Sequence, residues 1–250
     1  MIKHIILLFA FTLSLVAGVI KTPILTLENN LVTVKVDNID IGVSGFIAHR
    51  LSKNNSTILK DVEVIGFDRA TKIATLKMSD FKQFNHNALP HGKWKVEVGD
   101  IAILAFGYSR ALLIAPSEEI YHRITKATKN VQWLHPDVFA TILSLNGHPT
   151  PLKEDFGSMY ENTSVGLVFF FLNQKLLTVD IKSMKIINIV DAPLKQDATK
   201  LPFYSRVDEI ESNWWGEGSD ELESYEPYYF KLLMEHNPNN RELQALYSKF

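Results

Sequence analysis

The chain has 250 residues, 46% of them hydrophobic and 22% charged, with a formal net charge of -2 and no cysteine. That length suits one large domain or two small ones. The near-neutral balance gives neither the basic footprint of a nucleic-acid binder nor a polybasic patch for anionic lipid. The lack of cysteine excludes disulfides, zinc–thiolate sites, iron–sulfur clusters and thiol catalysis.

Residues 1–18, MIKHIILLFAFTLSLVAG, carry Lys3, then an apolar run from Ile5 to Val16, then small residues. This is the pattern of a secretory signal peptide with cleavage before Val19. The run is shorter than the ~20 residues that a membrane-spanning helix needs. No second long apolar segment follows, so no integral membrane span is expected after cleavage.

Residues 19–115 read as a β-rich subdomain. LVTVKV (Leu31 to Val36) alternates apolar and polar residues, as a half-buried strand does. GVSGFIAHRL and TILKDVEVIGF continue the pattern, and Asp68 to Thr71 turns the chain into KIATLKM. KVEV and IAILAF are expected as strands on either side of Gly99-Asp100, and Phe84 to Trp94 as a long loop. Short strands at this spacing predict a small, strongly bent sheet or partly open barrel.

The segment IAILAF–GYSR–ALLIAP then poses a chemical question. GYSRA is one glycine short of the G-x-S-x-G nucleophile elbow, and Ser109, Asp137 and His148 follow the chain order of α/β-hydrolases. An elbow needs a helix directly after the serine to build its oxyanion hole. Here an apolar run closed by Pro116 intervenes, and Ala111 replaces the second glycine. The segment is therefore expected to be a hairpin turned by Gly107, with a serine hydrolase as the enzymatic alternative.

Residues 116–207 change period and read as a mixed α/β subdomain. Ser117 is an N-cap, with Glu118 and Glu119 in the first helical turn. VQWL is a short strand. Pro136 opens the next helix and Gly147 follows its end. One more short helix is expected within HPTPLKEDFGSMYENTS. GLVFFFL, apolar on both faces, is a buried strand, followed by KLLTVDI and MKIINIV. Beyond them, DAPLKQDATKLPFYSRVDEI reads as an extended connector. Glu118 and His122 have metal-ligand spacing, but no H-E-x-x-H occurs, and an ion pair explains them equally. His135 and His148 beside prolines suit caps and turns. No residue is assigned a catalytic, cofactor-binding or metal-binding role.

Every charged residue in the segment 208–226 is acidic, around Trp214 and Trp215. A solvated linker is the plain expectation, and the paired tryptophans argue that part of it packs on the domain or on a partner. Residues 227–250 form a helical tail of two pieces around Asn237-Pro238, capped at Asn239 or Asn240. The fold class is thus α+β: an N-terminal barrel-like sheet, a mixed α/β subdomain and a C-terminal helical tail.

Long strings resemble one family: GVSGFIAH, NALPHGKWKVEVGD, ILAFGYSRALLIAPSEEIYHRITK, VQWLHPDVFATILSLNGHPTPLKEDF and DAPLKQDATKLPFYSRV. Together, from about Thr22 to about Ile210, they resemble the N-terminal domain of epsilonproteobacterial plasminogen-binding surface proteins of the plasminogen-binding protein A type. The resemblance implies an exported, non-enzymatic protein of the cell surface or periplasm that captures host plasminogen through its lysine-binding kringles. It also implies that a lysine, above all a C-terminal one in a lysine-rich extension, makes the contact.

In this sequence Lys249 is penultimate and Phe250 follows it. Removal of Phe250 by a carboxypeptidase would expose Lys249. Otherwise Lys153, beside Glu154 and Asp155, imitates the ammonium–carboxylate pair. The alternative is an envelope module whose partner is another bacterial protein, with Trp214 and Trp215 as the first place to look for contact.

Overall fold

A computed structural model describes residues 18–81, 94–195 and 197–248. The signal-peptide reading, most of the 84–94 loop, and Lys249 with Phe250 lie outside the described residues.

Six strands close into a barrel: β1 (Ile20–Glu28), β2 (Leu31–Lys35), β3 (Ser44–Arg50), β4 (Ser56–Asp68), β5 (Ile73–Asp80) and β6 (Ile101–Leu104). Their order around it is β1-β2-β5-β4-β3-β6. Strand β1 closes the ring by pairing through Ile20–Pro23 with β6 and through Ile24–Glu28 with β2. Pro23, which has no N–H to give a ladder, makes this strand hard to read from sequence. Alternate residues of each strand point inward. Ile24, Val32, Val34, Ile47, Val64, Leu76 and Leu104 fill the interior and are essentially inaccessible to solvent. KVEV is not a strand. Gly99, with φ 95°, and Asp100 instead hydrogen-bond to the backbone of Ile24.

The second sheet has the order β11-β10-β9-β7-β8, from β7 (Arg110–Ile114), β8 (Gln132–Leu134), β9 (Leu167–Leu172), β10 (Lys175–Asp180) and β11 (Ile186–Asp191). β7 runs parallel to both β8 and β9, and β9, β10 and β11 are antiparallel. The expected hairpin at GYSR is therefore corrected. β6 pairs within the barrel and β7 within the second sheet, so Gly107 to Arg110 is the corner between them. Strands β7 and β9 are central and are buried on both faces, as parallel strands covered on both sides must be.

Among the described residues five helices cover this sheet: α1 (Glu118–Ala127), α2 (Pro136–Asn146), α3 (Lys153–Thr163), α4 (Tyr225–His236) and α5 (Arg241–Tyr247). Leu113, Phe169 and Phe171 share one core with the barrel interior and with Ile120 and Ile124 of α1. Leu112, Ile114, Phe170 and Leu177 face the other way and pack with α2, α3, α4 and α5. The expected caps are in place: Ser117 Oγ accepts from Ile120 N, Gly147 ends α2 in the left-handed region, and Asn240 caps α5. The C-terminal helices are part of the core, because Tyr229, Phe230, Leu233 and Leu243 are fully buried.

A buried carboxylate ties the two sheets together. Asp180, at the end of β10, has no solvent exposure. Its Oδ2 accepts from Ser44 N at 2.9 Å, Ser44 Oγ at 2.6 Å and Tyr108 OH at 2.8 Å. Its Oδ1 accepts from Lys182 N at 3.0 Å and Ser183 N at 2.8 Å. Burial, and then the Asp180 charge, push the Tyr108 phenol well above its ordinary value, so it stays a donor. Alongside, Lys182 pairs with Asp61 of β4 at 2.5 Å and lies over the Tyr160 ring.

Candidate partner-binding site

The connection between α2 and α3 is built around a second buried acid. Asp155, in the first turn of α3, is fully buried and accepts from Asn146 Nδ2 at 2.7 Å, His148 Nδ1 at 2.9 Å and Leu152 N at 2.7 Å. These bonds hold the turn Gly147 to Leu152 in one shape. The turn in turn anchors the acidic segment. Asn213 donates from its N to Gly147 O and from its Nδ2 to Asn146 O, while Thr150 donates to Gly218 O and Asp220 O. Between the two anchors, Gly216 at φ 122° and Gly218 at φ 83° turn the chain in a region open to glycine. Trp214 and Trp215 stand on the outside of this loop and are 99% and 83% exposed. The expectation that part of the segment packs on the domain is met by Asn213 and Gly218; the tryptophans do not share in it.

Beside the loop lies a surface cavity of about 330 Å³, lined by Thr150, Lys153, Glu154, Glu217, Lys231 and Glu235 among others. Lys153 and Glu154 are exposed here. Asp155 is not available beside them, because it points inward to the turn it organises; the ammonium–carboxylate pair reduces to Lys153 and Glu154. Desolvation lowers the Lys153 pKa from its ordinary value, the Glu63 carboxylate of the barrel opposes that shift, and the nearby Lys185 cation adds to it. Lys153 thus sits within the field of the Glu63 carboxylate and the Lys185 cation.

Sequence reasoning misses Asp180 altogether, and takes Asp155 for a surface partner of Lys153 where it is a buried acceptor. The near donors, the Lys182 and Ser183 amides for Asp180 and the Leu152 amide for Asp155, are those of any turn or helix start, and the others, Ser44 and Tyr108 or Asn146 and His148, arrive only with the packing of other elements.

The hydrolase residues are not brought together. Ser109 precedes β7, whereas Asp137 follows β8, which runs parallel to β7 with Arg110 opposite Gln132. They therefore lie toward opposite ends of these two neighbouring strands, more than ~10 Å apart at ~3.3 Å per residue. Asp137 accepts from Arg206 N at 2.8 Å and Nε at 2.7 Å and is 3.0 Å from His135. Partial burial opposes its ionisation, but these partners outweigh it and hold the carboxyl below its usual range. His148 pairs with Asp155. Glu118 and His122 form the expected i, i+4 ion pair at 3.5 Å. Ser109→Ala is expected to change stability by no more than about 0.5 kcal/mol, as for an exposed surface position, and a fluorophosphonate probe to label wild type and variant equally little. Wild-type labelling lost in the variant would restore the hydrolase reading.

The chain matches the family described as "Plasminogen-binding protein pgbA N-terminal" over residues 19–233. Two curated relatives, from two strains of Helicobacter pylori and both named plasminogen-binding protein PgbA, are each 23% identical to it over 210 residues. The match takes in 83% of this chain and 45% of each relative, so the chain spans about half the length of the curated relatives it matches. No solved structure matches it.

Proposed function

Because the chain belongs to the plasminogen-binding protein pgbA N-terminal family, we propose that it is an exported, non-enzymatic binding protein of the cell envelope that captures plasminogen. The observation that carries this reading is the extent of the family match, which runs through the barrel, the second sheet and most of α4. The apolar leader at residues 1–18 supports export. Among the described residues, no helix is long and apolar enough to cross a membrane.

Kringle capture requires a lysine ammonium offered with a carboxylate close by. Lys153 with Glu154, exposed at the mouth of the cavity, is the pair among the described residues that we assign to this role. Lys249, once Phe250 is removed, is the second. The test uses intact cells. Plasminogen capture should be lost after protease shaving of the surface and should be competed by a free lysine analogue. Capture that is absent, or a protein that resists shaving until the outer membrane is opened, would leave the envelope-module reading in its place.

A further inference from the structure

The Trp214-Trp215 loop has a different chemistry from lysine presentation. Two adjacent indoles stand almost wholly in water, where large aromatic side chains are costly unless something covers them. Their position is fixed by hydrogen bonds at both feet of the loop, from Asn213 to the end of α2 and from Thr150 to Gly218 and Asp220. A surface held in its final shape loses little entropy on binding. Tryptophan is also the residue type most enriched among those that dominate interface energies.

The charge around the loop selects the partner. Every charged residue from Asp208 to Glu226 is acidic, and Glu211, Glu217, Asp220, Glu221 and Glu223 are exposed. Anionic lipid and nucleic acid are repelled by such a surface, although tryptophan alone would suit a membrane interface. A segment rich in arginine and lysine is attracted to it. Guanidinium and ammonium groups stack over indole faces by cation–π attraction and pair with the flanking carboxylates.

We propose that the Trp214-Trp215 loop is a docking site for a basic, Arg/Lys-rich segment of a partner protein. This goes beyond the capture reading and inverts its chemistry: there the chain offers a lysine, here it receives cations.

The test titrates the full chain into a fluorescein-labelled 15-residue peptide of alternating Arg, Lys, Gly and Ser, read by anisotropy, with an all-Glu counterpart as control. Saturable binding of the basic peptide is expected, weakening as salt rises. Trp214→Ala with Trp215→Ala should weaken it at least ~10-fold, as loss of an aromatic anchor does. The melting temperature should not move, because neither ring packs on the domain. Glu217→Gln with Glu211→Gln should weaken it less. No binding of the basic peptide, or binding that survives loss of both tryptophans, would overturn the proposal. So would tryptophan-dependent binding to phosphatidylglycerol vesicles, or tryptophan-dependent self-association, in place of peptide binding.

Discussion

Asp180→Ala is expected to destabilise the protein by about 3–5 kcal/mol, the range for removing one partner from a buried charged network. At this chain length that lowers the melting temperature by roughly 10 °C. The carboxylate accepts five hydrogen bonds, from Ser44 of the barrel, Tyr108 of the corner, and the Lys182 and Ser183 amides. Alanine leaves those donors buried without an acceptor, and each unsatisfied donor costs about 1–3 kcal/mol before relaxation. Asp180→Asn keeps the shape but not the chemistry. Its amide group must face either the Ser44 and Tyr108 donors or the two backbone amides, so donor meets donor on one side. It should destabilise by about 2 kcal/mol or more. A melt of the asparagine variant that matches wild type would show that Asp180 fills space without holding the barrel to the second sheet.

Gly107→Ala is the second large effect, on the order of 3 kcal/mol. Gly107 has φ 79°, where a side chain is strained. A Cβ there would press into the Ser164 carbonyl oxygen and come 3.1 Å from Gly166 N. Both neighbours are backbone and cannot rotate away, and Gly166 N donates to Gly107 O at 3.0 Å. The corner that sends the chain from barrel to sheet is thus clamped against the entry to β9. Chemical denaturation of Gly107→Ala beside Ser109→Ala separates the roles: the glycine variant should lose stability and the serine variant should not. Equal, small effects would mean that the corner tolerates a side chain.

Local pattern carried much of the fold. The alternation in LVTVKV and KIATLKM predicts strands that lie in the barrel, and Ser117, Pro136 and Gly147 mark helix ends where the structure has them. What was not legible depends on partners far along the chain. IAIL and ALLI are both wholly apolar, so nothing in them says that one faces a barrel lumen and the other lies between the core shared by the barrel and α1 and the layer of α2 to α5. That distinction comes from pairing with β3 in one case and β9 in the other. Gly107 in GYSR does turn the chain, as its sequence predicts, but it packs against Gly166 and joins two sheets, where a local pattern predicts a hairpin.

The site was legible in part. Lys153, Glu154 and the tryptophan pair could be singled out by type, because exposed lysine–acid pairs and adjacent tryptophans stand out in a sequence. Their arrangement could not. The burial of Asp155, which removes it from the Lys153 cluster, goes with donors from Asn146 and His148 at the end of α2, which meet it only when α2 and α3 pack. The exposure of Trp214 and Trp215 follows from anchors at Asn146, Gly147 and Thr150, more than sixty residues earlier, whose bonds to the loop hold the rings clear of the domain.

The most direct measurement is binding of the purified full chain to immobilised plasminogen by surface plasmon resonance, with and without excess free lysine analogue. Saturable binding that the analogue abolishes, and that Lys153→Ala weakens at least ~10-fold, is the predicted result. No binding, or binding unchanged by the analogue, would contradict the assignment of plasminogen capture to this chain.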